Sequence, residues 1–353
     1  MNALLLAFTA RGMETARRIR GVLEADGWRC ELRAPERLAG GDAAAYPGSL
    51  PEFVGTVFDR EALIFVGAAG IAVRAVAPHV TSKRSDPAVL CVDEAARYVI
   101  PLLSGHIGGA NRLARRLAEA LGADAVITTA TDVNGRFSVD AWAAERGLHI
   151  GSMALAKRVS AEILTHEIPF WSDRCDPDVA LPEGLRWDDS GPLGICVSVR
   201  CAQPFAQTLA LTPKALRIGI GCRRGTPAGA IDALVERVLS EHRLRPEAVA
   251  GAASIDVKAD EPGLIEFCRS RGWPLEFFTA AQLREVPGAL ARSEFVQRTV
   301  GVDNVCERAA LAAGGRLIVS KTAMDGVTVA VAEMEWGIDF GEDSRGGHRP
   351  GRL

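Results

Sequence analysis

The chain has 353 residues, 48% hydrophobic and 24% charged, with a formal net charge of −3. That balance excludes a general basic nucleic-acid binder, and the longest uncharged apolar run, Ala62 to Val73, falls short of the ~20 residues a membrane span needs. The length is too great for one core and implies two or three domains of ~100–150 residues.

In chain order, MNALLLAFTARG has no basic region ahead of its apolar stretch. It reads as a first strand, Leu4–Phe8, rather than a signal peptide. Apolar runs at Leu63–Val66, Val89–Val92, Val99–Leu103 and Ala125–Thr128 read as further buried strands. Between the last two, Ala110–Leu121 reads as a helix: Leu113, Leu117 and Leu121 repeat every four residues, and Gly122 follows as a stop. Helices over Val139–Arg146 and Met153–Thr165 and a strand over Leu193–Arg200 flank a loop rich in turn formers. A third segment opens with the strand ALRIGIG, then a helix over Pro227–Arg243 with Thr226 as its cap. After it come a helix opened by Asp260, a strand Leu275–Phe278, helices opened by Ser293 and Asn304, and strands Arg316–Val319 and Val327–Val331. The expected fold class is α/β: a mainly parallel-sheet N-terminal domain (1–137), a small middle α/β unit (138–212) and a separate α/β C-terminal domain (213–336). The tail, 337–353, is polar and glycine-rich and is expected to be disordered.

The eight cysteines are scattered, form no C-x-x-C pair and suit reduced thiols in the cytoplasm. Neither they nor the six histidines have metal-ligand spacing, so no protein-held metal or cofactor is expected.

Several stretches, three of them glycine-bearing, each follow a strand and precede a helix: VGAAGIAVR (66–74), LLSGHIGGAN (102–111), TTATD (128–132) and GIGCRRGT (219–226). Glycines admit a ligand to the backbone, and helix N-termini favour anions. These loops nominate Gly67, Gly70, Arg74, Ser104, Gly105, Gly108, Gly109, Asn111, Gly221, Arg223 and Arg224 as ligand contacts. Lys258 and Lys321, each after a strand-like run, join them. The alternative is that the glycines only make tight turns. A histidine can exchange protons near neutral pH, so His106 is the first choice for acid/base work; Asp132 and Glu94 are the second. The alternative readings are a loop-bonding histidine and turn-capping carboxylates.

The run DPAVLCVDEAARYVIPLLSGHIGGANRLARRLAEALGADAVITTATD (86–132), with VGAAGIAVRAVAP before it, resembles the amino-terminal signature of the cobalt-precorrin-5A hydrolase (CbiG) family. IGIGCRRGTP, ASIDVKADEPGLIEF, SEFVQRTVGVDNVCERAAL and VSKTAMDGVTVAVA are similar to that family's carboxy-terminal domain, which it shares with CobE. Ala96 departs from the pattern, standing where the glycine of a D-x-x-G turn is expected. The resemblance implies hydrolysis of the δ-lactone of a cobalt-bound tetrapyrrole, with release of acetaldehyde, in anaerobic cobalamin biosynthesis. The implied partners are that tetrapyrrole, which brings its own cobalt, and neighbouring pathway enzymes, with no nucleic acid and no membrane. A non-catalytic corrinoid carrier is the alternative, and an unrelated sugar-phosphate or nucleotide enzyme is disfavoured because no standard phosphate loop is present.

Overall fold

A computed structural model describes residues 1–82, 85–174, 179–287 and 304–340. The expected helix at Ser293 and residues 341–353 of the expected tail lie outside them. The chain divides into two compact units, one over Met1–Glu145 and one over Arg146–Arg345, with Gly346–Leu353 outside the described residues.

The first unit is built on a seven-stranded sheet, in the order β3-β2-β1-β4-β5-β6-β7. Its strands are β1 (Asn2–Ala7), β2 (Arg29–Ala34), β3 (Ala44–Ala45), β4 (Ala62–Val66), β5 (Ala88–Val92), β6 (Tyr98–Leu103) and β7 (Asp124–Ala125). The runs ALIFV and AVLCV are buried along their whole length because helices cover both faces, the usual state of a parallel sheet. Side chains alternate across β1: Leu5 packs with Ile19 and Leu23 of helix α1 (Ala10–Ala25) and Leu117 of α4 (Ala110–Leu121). Leu4 and Leu6 face Phe53 and Val54 of α2 (Leu50–Thr56) and Ala72 and Val76 of α3 (Ala69–Val76). Gly122 ends α4 at φ 69°, as the leucine period and its glycine stop predict.

Two strands break the parallel pattern. β5 pairs β6 antiparallel, and β7 then runs parallel to β6. The reversal is made at Asp93–Arg97. The Asp93 carboxylate accepts the N–H groups of Ala95 (3.1 Å), Arg97 and Tyr98 (2.7 Å each), and Ala96 stands at φ 54°. Ala96 therefore occupies the left-handed conformation that the missing glycine would take, at a cost of roughly 1–2 kcal/mol. Two short helices follow β7: α5 (Ala130–Val133) and α6 (Val139–Glu145). The latter, placed with the middle unit by its sequence, lies within the first compact unit.

The second unit carries two sheets. One, in the order β10-β9-β11-β12-β8, consists of β8 (His149–Ile150), β9 (Ile168–Ser172), β10 (Leu185–Trp187), β11 (Leu193–Val197) and β12 (Gln207–Thr212). All its pairings are parallel except that of β8. The other, in the order β15-β14-β13-β17-β16, consists of β13 (Leu216–Cys222), β14 (Val249–Ile255), β15 (Leu275–Phe278), β16 (Arg316–Met324) and β17 (Val327–Glu333). β13, β14 and β15 are parallel, and β17 and β16 complete the sheet antiparallel. Glu333, almost wholly buried, ties the two sheets together: it takes Arg174 from one and Arg316 and the Trp336 indole from the other. The described start of the tail is packed, with Phe340 edge-on to Phe170 and Asp339 paired to Arg146 at 2.9 Å. Among the described residues, no helix is long and apolar enough to cross a membrane.

Candidate functional site

The loop Ser104–Gly109 leaves β6 and winds tightly into α4. Ser104 adopts φ 57° and donates its hydroxyl to the Asp86 carbonyl at 2.9 Å. A Cβ on Gly108 would lie 2.4 Å from Ser104 Cβ, and Gly109 caps α4 at φ 78°. The N–H groups of Gly109, Ala110 and Asn111 are taken by the carbonyls of His106, Ser104 and Gly105. So Ser104, Gly105, Gly108 and Gly109 shape the loop, and these amides are spent inside it rather than offered to an anion.

That winding delivers His106, one-fifth exposed, between two carboxylates. Nε2 lies 2.9 Å from Asp132 Oδ2 and Nδ1 lies 3.2 Å from Asp140 Oδ1. The Thr131 hydroxyl stands 3.2 Å from Nε2. Asp132 also accepts Thr129 and the Asn111 amide (3.1 Å) on Oδ2, and Arg115 on Oδ1. Burial opposes charge on the ring, but the hydrogen bonds to Asp132 and Asp140 and their attraction outweigh it, raising His106 from 6.5 to about 9. Burial likewise favours the neutral form of Asp132, and its bonds to His106, Thr129 and Arg115 overcome this, holding it far below the usual carboxylate range. The pair is thus imidazolium and carboxylate at neutral pH. Sequence reasoning found His106, Asp132 and Asn111 but missed Asp140 and Arg115. An acidic residue in a helix's first turn reads as a cap, and an arginine on α4 reads as its solvated face.

The remaining candidates of this unit stand elsewhere. Because β6 is reversed, its carboxyl end lies beside the start of β5, with Leu103 opposite Val89. Gly67, Gly70, Arg74 and Glu94 follow β4 and β5 and so occupy the other edge of the sheet, about 15 Å away along a five-residue strand. The strand-to-helix loops of this unit are therefore divided between the two ends of the sheet. Glu94 accepts the Thr9 hydroxyl at 2.6 Å, and Arg74 bends back to the Gly70 carbonyl at 3.2 Å.

In the C-terminal sheet, Gly221, Arg223, Arg224 and Lys258 collect where β13 and β14 end. The next helix spans Ala228–Glu241 with Pro227 at its N-cap position. Thr226 bonds the Arg223 carbonyl instead of capping, a correction to the expected start. Glu261, 3% exposed, accepts the Gly225 N–H at 2.7 Å and Lys258 Nζ at 3.2 Å. It also stands at the N-cap position of the helix Pro262–Arg271, the place expected for Asp260. Arg223 and Arg224 are exposed, and neither guanidinium forms an ion pair among the described residues. Lys321 N–H binds the buried Glu307 at 2.7 Å. Gly219 packs so closely on helix Val305–Leu311 that a Cβ there would come within 1.8 Å of the Cys306 carbonyl. Gly221 likewise lies against the Thr328 hydroxyl.

Comparison with known proteins follows the same division. Residues 52–132 match the family described as Cobalamin synthesis G N-terminal, and residues 216–332 match Cobalamin synthesis G C-terminus. The chain is 40% identical over 284 residues to the cobalt-precorrin-5A hydrolase of Salmonella typhimurium, spanning 76% of this chain and 81% of that one. The chain belongs to the cobalt-precorrin-5A hydrolase family. A second hydrolase of that name, from Priestia megaterium, is 29% identical over 363 residues, 93% of this chain and 94% of its own. The C-terminal part is also 38% identical over 136 residues to Protein CobE of Sinorhizobium sp, across 88% of that protein and 36% of this chain. The cobalt-precorrin-5A hydrolase signature thus spans both the His106 loop and the arginines of the C-terminal sheet.

Proposed function

We propose that the chain hydrolyses cobalt-precorrin-5A: water opens the δ-lactone, acetaldehyde leaves, and cobalt-precorrin-5B is formed. The observation that carries this reading is the 40% identity to a cobalt-precorrin-5A hydrolase across most of both chains. In this proposal the cobalt arrives within the substrate, the protein holds no cofactor of its own, and the reaction takes place in the cytoplasm. The free thiols of the seven described cysteines are compatible with that compartment.

The side chains of each unit, taken separately, support a division of labour. Lactone hydrolysis needs proton transfer to the departing ring oxygen and positioning of the macrocycle's carboxylate arms. His106 and Asp132 supply a hydrogen-bonded proton pair with the ring partly open to solvent. Arg223 and Arg224 supply guanidinium groups that form no ion pair among the described residues and suit bidentate carboxylate binding, with Lys321 adding positive charge on the same sheet, while Lys258 is held by Glu261. Glu94, Gly67, Gly70 and Arg74 stand at the opposite strand ends of the first sheet, away from His106.

The test is direct. Incubated with cobalt-precorrin-5A, the purified chain should oxidise NADH through coupled alcohol dehydrogenase, one equivalent per lactone opened. Binding of the macrocycle with no acetaldehyde released would instead identify a carrier. Elemental analysis of the substrate-free protein should find no stoichiometric transition metal.

A further inference from the structure

Asp140 has no part in the reaction as derived so far, yet its carboxylate is built against the ring with care. It is 7% exposed on its side chain and stands at the start of α6, with Oδ1 3.2 Å from His106 Nδ1. The same oxygen accepts the Ser138 hydroxyl at 3.0 Å and the Ala141 N–H at 3.1 Å, which pin it in place. An imidazole has two nitrogens on opposite sides. With Nδ1–H committed to Asp140, only Nε2 remains to exchange a proton with Asp132, with the Thr131 hydroxyl or with a substrate oxygen.

Polar groups from three helices gather around the ring. The groups facing it are Asp132 and Thr131 from α5, Asp140 from α6, and, through Asp132, Arg115 and Asn111 from α4. A carboxylate oxygen stands against each ring nitrogen, an arrangement that favours the protonated ring over the neutral one.

We propose that Asp140 is a positioning residue for lactone opening: it fixes His106 through Nδ1 and, opposite Asp132, keeps the ring charged, so that His106 enters the reaction as the acid. The proposal rests on the hydrolase reading above. Water adds to the lactone carbonyl, and the ring C–O bond breaks with its electron pair on oxygen. That oxygen takes the Nε2 proton and becomes the free hydroxyl. One proton of the water returns to His106, and the other leaves to solvent as the new carboxylic acid ionises. Asp140 touches neither water nor lactone and acts only through the ring.

The experiment uses the full chain. Histidine ring ¹⁵N–¹H spectra, with His106 assigned by its loss in His106→Gln, should show both ring nitrogens protonated at pH 7 and a titration above pH 8. Asp140→Asn keeps an acceptor oxygen beside Nδ1 but removes its charge. It should lower that titration by at least one pH unit and move the high-pH fall of kcat down by the same interval. Its kcat should drop about 10²-fold, the lower end of what a positioned proton-transfer group supplies, with KM within about threefold. Asp140→Glu should recover part of kcat. A ring that is neutral at pH 7 in the unaltered chain overturns the proposal, as does a folded Asp140→Asn chain with the titration and the kcat profile unmoved. If Asp140→Asn does not fold, the titration of the unaltered chain decides. A chain that releases no acetaldehyde refutes the activity, and the ring titration then judges Asp140 on its own.

Discussion

The His106 cluster and the β13 edge are both polar, yet they treat charge in opposite ways. Around His106, charge is spent internally: Asp132 is bound to His106, Thr129, Asn111 and Arg115, and Asp140 holds the far side of the ring. At the end of β13, Glu261 consumes Lys258 and the Gly225 N–H, while Arg223 and Arg224 stay exposed and unpaired among the described residues. A cluster bonded inward in this way fixes where a proton sits. An open cationic edge holds nothing in place but can receive anions. The contrast separates chemistry from capture, and it predicts different kinetic losses when each is damaged.

The largest effect should come from the closed cluster. His106→Ala should lower kcat by about 10²–10⁴-fold with little change in KM, and His106→Gln should fare little better. Glu94→Gln, at the other edge of the sheet, should stay within about threefold in kcat. A Glu94 effect as large as that of His106 would break the assignment of chemistry to one edge.

Stability should report the same cluster. His106 rises from 6.5 to about 9 on folding, so its contribution is complete below pH 6.5 and disappears as pH climbs through 9. That contribution is at most roughly 3 kcal/mol for a shift of this size. Thermal unfolding followed from pH 6.5 to 9.5 should show a falling Tm in the unaltered chain and a flatter curve in His106→Gln. Equal slopes would mean the ring is not held charged.

The open edge should respond in affinity. Arg223→Ala with Arg224→Ala should raise KM about tenfold and leave kcat nearly unchanged, because a grip remote from the reacting bond serves ground state and transition state alike. A loss confined to kcat would erase the distinction between the two regions.

The smallest effect concerns the hairpin that sets the edges apart. Ala96→Gly relieves a left-handed alanine and should raise stability by about 0.5–1 kcal/mol, seen as a small increase in Tm. An unchanged or lower Tm would show that the unfolded glycine's extra freedom cancels the relief.

Much of this was legible in the residues. The helix Ala110–Leu121 follows from leucines every fourth position and its glycine stop, and His106 and Asp132 both stand just past strand-like runs. What stayed hidden depends on direction and distance. The β5–β6 reversal lies in VDEAARYV, where no glycine or proline marks a hairpin, and alanine takes the unusual turn conformation instead. Without that reversal, loops after successive strands look like neighbours. Asp140 was invisible because its partner lies 34 positions earlier, and helix-start chemistry explains an aspartate there equally well. The glycines of the His106 loop fit either room for a ligand or a tight turn from sequence alone, and at Gly108 the nearness of Ser104 requires the turn.

The inward hydrogen bonding of that loop has a consequence for exchange with solvent. The amides of Gly109, Ala110 and Asn111 already hold the carbonyls of His106, Ser104 and Gly105, so in heavy water they exchange only when the turn itself opens. Their deuterium uptake measures the opening of the loop rather than occupancy of the site. A macrocycle that merely rests against the loop leaves their rates unchanged, and one that braces it slows all three together.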